Sequence, residues 1–201
     1  MDRLDLIDTL VLSAGMCAFA LLVHDAPAWS GAGLLAVAAV AGRRLWRGDA
    51  LADVFALRRP GVQYAAMGLL LGAALAAACR WDFGMGLPRS LGAFALTGAL
   101  IGATEELLYR GFVQERLAPL GAWGAVALAA GAHTAYKLCL FVPHSRIVLH
   151  PGLLALWTFG SGLLFGALTW RSRSVVPPLL AHALFDTIVY GDQAAPVWVW
   201  S

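Results

Sequence analysis

The sequence predicts an all-α fold, a polytopic transmembrane bundle of about seven helices. Of the 201 residues, 60% are hydrophobic and 13% are charged, whereas about 25% of residues are charged in soluble domains. The mean hydropathy of +0.74 indicates the same class. Long apolar runs recur along the chain and no linker-like stretch divides it. We therefore expect a single transmembrane domain over residues 1–201.

The first three predicted helices carry no motif of their own. The first, Thr9–Val23, follows an N-terminus with more acid than base, so it is predicted to be a retained helix and not a secretory signal. The second, Trp29–Leu45, is short and rich in Ala and Gly. The third, Val62–Cys79, follows a loop with five arginines. Each run approaches the length of about 20 residues that spans a bilayer.

The last four predicted helices contain the polar residues of interest. The fourth, Leu91–Tyr109, is expected to continue past the membrane as an amphipathic end, Arg110 to Leu117. The fifth, sixth and seventh are Ala122–Phe141, Gly152–Trp170 and Val175–Tyr190. Glycines spaced four apart, which let helix backbones approach closely, are predicted to serve packing. These pairs are Gly68/Gly72, Gly98/Gly102 and Gly162/Gly166.

The distribution of basic residues predicts the orientation. With the N-terminus in the cytoplasm, most arginines fall on the inner side, including the five between Arg43 and Arg59, and the C-terminus lies outside. We expect a multi-pass protein of the cell inner (plasma) membrane with a cytoplasmic N-terminus. The Ala- and Arg-rich composition favours a bacterial source.

Composition and charge also indicate which binding partners to expect. The net charge of +2 is too small to indicate nucleic-acid binding, and the expected surroundings are the lipid bilayer. The three cysteines, Cys17, Cys79 and Cys139, lie in or near apolar segments without CxxC spacing. They predict neither a disulfide framework nor a zinc site, and we interpret them as small buried hydrophobic residues.

Two adjacent carboxylates, Glu105 and Glu106, end the apolar part of the fourth helix. Charged residues within a membrane are costly and mark functional sites by default. Neighbours on a helix point about 100° apart, so the two side chains face different partners. Glu106 and Arg110 are spaced i, i+4, which predicts an ion pair on one face. Glu105 is then left to point elsewhere.

Three later polar residues are predicted partners for this pair. His133 lies in the fifth helix, and His182 and Asp186 share one face of the seventh. They lie roughly 17, 10 and 16 Å from the cytoplasmic starts of their helices, and Glu105 enters the same leaflet. This agreement in depth predicts an active site. The four groups could in principle bind zinc, but the chain has no HExxH motif and we expect no metal or other cofactor.

These motifs resemble the signature of a known family. Glu105-Glu106-x-x-x-Arg110, a histidine in a following helix, and His182-x-x-x-Asp186 are similar to the CAAX protease and bacteriocin-processing (CPBP) family, glutamate-dependent intramembrane endopeptidases akin to the Ras-converting enzyme. The resemblance covers about residues 98–190, which would form the catalytic core. Two positions depart from the family pattern: Ala129 replaces the Phe of its FxxxH motif, and Asp186 stands where Asn is frequent.

The resemblance implies roles for the site residues. Glu105 and His133 would activate a water molecule, and His182 with residue 186 would stabilise the oxyanion. An ionised carboxylate repels an oxyanion, so Asp186 is either protonated or orients His182, and we favour the second. Glu106 and Arg110 would be a supporting pair, although family usage also counts Glu106 as catalytic.

The expected function is a metal-independent, glutamate-type endopeptidase acting near the cytoplasmic face. Its substrate would be a membrane-associated protein with a prenylated CAAX tail, a bacteriocin-like leader or a C-terminal transmembrane tail. One alternative is a non-catalytic membrane scaffold or self-immunity protein of the same family. A second is a proton-coupled transporter that uses the Glu, His and Asp residues as a relay. The small size and the absence of an evident repeat disfavour the transporter.

Overall fold

The computed structural model describes residues 3–23, 25–143 and 150–192. Within these ranges the chain is helical apart from short connections and contains no strand, which confirms the predicted all-α fold. The long helices are α1 (Arg3–Leu22), α2 (Pro27–Trp46), α4 (Val62–Asp82), α7 (Ala122–Phe141) and α8 (Pro151–Ser172). The shorter helices are α3 (Leu51–Val54), α5 (Ala93–Glu106), α6 (Glu115–Leu117) and α9 (Val176–Val189).

The predicted fourth helix forms one continuous rod with a change of helical type. Directly after α5, residues Leu107–Gln114 form a π segment, in which hydrogen bonds run from i to i+5. The rod then continues through α6 into a 3₁₀ turn at Ala118–Leu120 and ends at Gly121, whose φ of 83° favours glycine. Such segments are rare and occur frequently at functional sites.

The exterior of the bundle is that of a membrane protein. Among the described residues, four helices, α1, α4, α7 and α8, are long and apolar enough to cross a bilayer, and α9 is apolar but shorter. The helices α2 and α5 were also predicted to span, but they lie outside this group. The last turn of α2 contains two arginines, and α5 has 14 residues and ends in two glutamates. Exposed tryptophans lie near helix ends, as in interfacial belts: Trp29, Trp46, Trp81 and Trp123.

Ion pairs explain why α1 begins earlier than predicted. Its first turns contain Asp5 and Asp8, which the hydropathy pattern placed outside the membrane span. In the structure Asp8 is only 1% exposed and accepts hydrogen bonds from Arg43 and Arg44 of α2, the latter at 2.7 Å. Arg44 also contacts Asp5 at 2.6 Å. Buried carboxylates need such partners, so the charged ends of α1 and α2 stabilise each other.

The π segment lies at the centre of the bundle. It contacts α1, α5, α7 and α8, while α9 packs between α4 and α5. Its side chains Tyr109, Phe112 and Val113 are fully buried. They form the core together with residues of α1 and α7. The centre of the molecule is therefore the part of the rod that follows the two glutamates.

The arginine-rich loop packs against the far end of the rod. Val54 of α3 is 2% exposed, and its carbonyl accepts a hydrogen bond of 3.2 Å from Arg116. The rings of Phe55 and Phe112 lie 6.1 Å apart. A Cβ added to Gly111 would lie 3.0 Å from the Phe55 carbonyl carbon, so glycine permits this approach. Part of the loop predicted between the second and third helices thus closes this end of the bundle.

The glycine pairs predicted to serve packing do so. Gly68 and Gly72 of α4 face the backbone of α9, and a Cβ on Gly72 would lie 2.9 Å from Cα of Ala181. Gly98 and Gly102 also face α9, and the pair on α8 faces both α7 and the rod. Small residues at these positions allow the backbones to approach, which brings α9 and its polar residues against α5.

Candidate active site

Glu105 and Glu106 end α5 as buried carboxylates that face different helices. Glu105 is 2% exposed and points toward α7. Its Oε2 lies 3.1 Å from Nε2 of His133, and its Oε1 lies 2.6 Å from Nζ of Lys137. Both oxygen atoms therefore accept hydrogen bonds from α7. The divergence of the two glutamates follows from their adjacency on a helix.

Glu106 points toward α9 and along its own rod. Its Oε1 lies 2.8 Å from Nδ1 of His182, and its Oε2 lies 3.3 Å from Nε of Arg110. The predicted i, i+4 ion pair between Glu106 and Arg110 is thus present, and both side chains are at most 1% exposed. Glu106 links the arginine of the rod to the histidine of α9.

Arg110 fixes the tautomer of His133. Its Nη1 lies 2.8 Å from His133 Nδ1, and a guanidinium can only donate hydrogen bonds. Nδ1 must therefore accept, which places the proton of the neutral ring on Nε2. From there it is donated to Glu105. Since neither nitrogen keeps a free lone pair, His133 in this arrangement holds Glu105 in place and does not act as a base.

His182 has one nitrogen engaged and one directed into the site. Nδ1 donates to Glu106, while Nε2 lies 3.8 Å from both Glu105 Oε2 and Asp186 Oδ2. These separations are too long for direct hydrogen bonds. Asp186 was expected to orient His182, but Glu106 makes that contact, because α9 turns Nδ1 toward the rod. Glu105, His182 and Asp186 thus converge without direct contact.

Two glycines make room for these side chains. A Cβ on Gly102 would lie 2.5 Å from Asp186 Oδ2 and 2.8 Å from Cδ2 of His182. A Cβ on Gly162 would lie 2.9 Å from Nη2 of Arg110. The spacing that predicted helix packing also opens the space in which the site is built.

Aromatic rings enclose the two histidines. The ring of Tyr109 stacks on His133 with centroids 4.7 Å apart, and Phe165 lies 5.7 Å from His182. Ala129, at the position where the family pattern has Phe, is fully buried. In this chain the nearer ring stacked on His133 comes from the π segment, and the ring of Tyr136 of α7 stacks at 6.2 Å. Enclosure by apolar rings strengthens the electrostatic interactions within the site.

The structure brings together all of the residues predicted for the site, namely Glu105, Glu106, Arg110, His133, His182 and Asp186. The sequence analysis did not assign Lys137 to the site. Its signal was available: Lys137 follows His133 by four residues in an apolar helix, so both lie on one face. Within the described part of the chain, no cluster of three or more His, Cys, Asp or Glu suits a metal ion.

Comparison with models of known protein families gives a match. A family model described as "Type II CAAX prenyl endopeptidase Rce1-like" matches residues 87–188. The matched range is half of the chain and contains every residue of the site. Neither the curated proteins nor the solved structures gave a match to the chain.

Proposed function

We propose, since this chain belongs to the family of Rce1-like type II CAAX prenyl endopeptidases, that it is a membrane-embedded endopeptidase with Glu105 as general base. The main support for this proposal is the position of Glu105 relative to His182. The buried Glu105 carboxylate and the free Nε2 of His182 face each other at 3.8 Å, each held from behind by other polar groups. A peptide carbonyl and a water molecule within reach of both atoms would be in position to react.

Glu105 and His182 have complementary roles in the first step. Glu105 takes a proton from water as the water oxygen attacks the carbonyl carbon of the scissile bond. A protonated His182 donates from Nε2 to the developing oxyanion. Hydrogen bonds from preorganised donors to such an oxyanion usually give the largest stabilisation of the transition state. Glu106 accepts from Nδ1 and stabilises the imidazolium, as the carboxylate of a hydrolytic triad does.

The second step returns the proton. The tetrahedral intermediate collapses, the C–N bond breaks, and Glu105 donates its proton to the leaving amine. The products are a carboxylic acid and an amine, and Glu105 is again ionised. His133 orients Glu105 in both steps, which differs from the role in water activation that the family resemblance implied.

We propose that the reaction needs no metal. His133 accepts from Arg110 at one nitrogen and donates to Glu105 at the other. A metal ligand must offer a lone pair, and binding one here would require breaking one of these hydrogen bonds. The proton transfers above can be completed by Glu105 and His182 alone.

The proposed substrate is a membrane-associated protein with a C-terminal tag or a leader, cut near the cytoplasmic face. The arginine-rich loop packs at the end of the rod that follows the site. Loops rich in arginine favour the cytoplasmic side. Under this orientation the N-terminus is cytoplasmic and the protein lies in the inner membrane.

The test is cleavage in cells that co-express candidate tailed or leader-bearing membrane proteins. We expect Glu105→Gln to lower processing by about 100-fold or more, since general bases contribute about 10²–10⁴-fold. Glu106→Gln and His182→Ala are also expected to lose most activity. Glu115→Gln is the matched control, because Glu115 lies on the same rod but forms an exposed ion pair with Arg58. Blotting verifies equal membrane levels.

Two outcomes would contradict the proposal. Unchanged processing in Glu105→Gln would make the cluster structural and favour the scaffold or self-immunity alternative. If substrates remain intact while proton uptake into vesicles depends on Glu105, the transporter alternative is favoured. Loss of processing in Glu105→Gln with full processing in Glu115→Gln supports the protease.

A further inference from the structure

Lys137 is the single lysine of the chain, and it lies inside a membrane helix. Its Nζ is 2.6 Å from Glu105 Oε1, and its side chain is 16% exposed. A charge at this depth is costly and indicates a function or a specific partner. The partner is the glutamate to which we assign the role of general base.

The charges around Glu105 come from two packed helices and its own rod. Among the described residues, Lys137 is the one lysine or arginine whose side chain lies within 4.0 Å of this carboxylate. Arg110 is directed to Glu106 and His133 instead. The titratable or charged groups facing Glu105 are His133, Tyr136 and Lys137 of α7, His182 and Asp186 of α9, and Glu106 and Arg110 of the rod.

Burial and the nearby carboxylate of Asp186 oppose ionisation of Glu105. A protonated glutamic acid cannot accept a proton from water, so a general base here needs a compensating cation. A lysine ammonium contacts a carboxylate as a point charge, whereas arginine engages both oxygens as a fork. Because Lys137 contacts only Oε1 of Glu105, the other oxygen, Oε2, is directed toward His182.

We infer that Lys137 is a positioning residue that keeps Glu105 ionised and directs its Oε2 toward His182 and the reacting water. This inference rests on the proposed function, in which Glu105 must be an ionised base. Lys137 itself touches neither substrate nor water in this scheme. A merely structural lysine would stabilise the fold without controlling the ionisation of Glu105.

The test is a pH titration of the purified protein by infrared spectroscopy, which detects protonated carboxyl groups without any substrate. The band that disappears in Glu105→Gln identifies Glu105. In Lys137→Met we expect this band to appear at a pH about one to three units higher than in wild type, since a neighbouring opposite charge has effects of that size. Lys137→Arg, which retains the charge, is expected to titrate close to wild type.

Matched controls separate this effect from general destabilisation. Arg58→Met removes the cation of an exposed ion pair on the same protein and should leave the Glu105 band unchanged. If Lys137→Met titrates like wild type, the inference is overturned, even where cleavage is lost. If the band shifts as expected but no candidate substrate is cut by wild type, the Lys137 assignment holds and the proposed protease function fails.

Discussion

Arg110 is the side chain through which the two halves of the site are connected. It donates to His133, which holds Glu105, and forms an ion pair with Glu106, which holds His182. Only 1% of the residue is exposed, so its charge is separated from water. The orientation of both histidines therefore depends on one guanidinium group.

Arg110→Met should accordingly be strongly destabilising. It leaves the buried Glu106 without its arginine partner, and breaking a buried pair from one side costs about 3–5 kcal/mol. Thermal or denaturant unfolding in detergent micelles measures the loss. Arg58→Met is the control, since exposed pairs contribute about 0–1 kcal/mol. Equal losses in the two variants would show that the Arg110 network does not stabilise the fold.

The sequence predicted which residues form the site better than it predicted which side chains contact each other. The i, i+4 rule predicted the ion pair of Glu106 and Arg110 correctly, because both lie on one rod. It could not predict that His182 bonds to Glu106 and not to Asp186, because that contact depends on the rotation of α9 against α5. Lys137 was missed because a single lysine near a helix end is usually assigned to the interface.

Among the helices, the contact between α4 and α9 determines where His182 lies. Gly72 allows the two backbones to approach, and Ala181, which it faces, directly precedes His182 in sequence. A side chain at Gly72 would push α9 away from α4. The histidine would then move relative to the glutamates of α5.

Gly72→Ala is therefore expected to destabilise the protein by about 1–3 kcal/mol, as overpacking does, and to lower cleavage as well. Gly42→Ala on α2 is the matched control, since a Cβ there meets nothing within 4 Å. It should be neutral or stabilising by up to about 1 kcal/mol, because alanine favours helix. Unfolding and processing assays on both variants check this. Full activity in Gly72→Ala would contradict it.

The apolar runs predicted the approximate positions of the helices, but they did not predict the start of α1 or the π segment. The start of α1 was misplaced because Asp5 and Asp8 are polar, and their partners on α2 are 35 to 39 residues away in sequence. The π segment was not predicted because its residues have an ordinary helical pattern. Its residues pack against α1, α7 and α8, and periodicity does not encode such contacts.

For the molecule as a whole, the testable property is its orientation in the membrane. We expect green fluorescent protein fused after Gly48 to fluoresce, since that loop is predicted to be cytoplasmic. Alkaline phosphatase, which is active only outside the cytoplasm, should be active when fused after Gly86. The opposite pattern would invert the topology and place the arginine-rich loop on the outer side. Fusion levels are compared by blotting.

The π segment has a consequence for how the chain can vary. A ring closed by i→i+5 bonds contains one residue more than the ring of an α-helix. Residues before and after the segment are therefore out of phase with a regular helix. In a regular α-helix Glu105 and Phe112, seven residues apart, would lie on nearly the same face. Here Glu105 contacts His133 of α7, and the ring of Phe112 lies 6.1 Å from that of Phe55. Deleting one residue within Leu107–Gln114 would restore a regular helix and turn the glutamates away from their histidines. We therefore expect this segment to tolerate substitutions better than insertions or deletions.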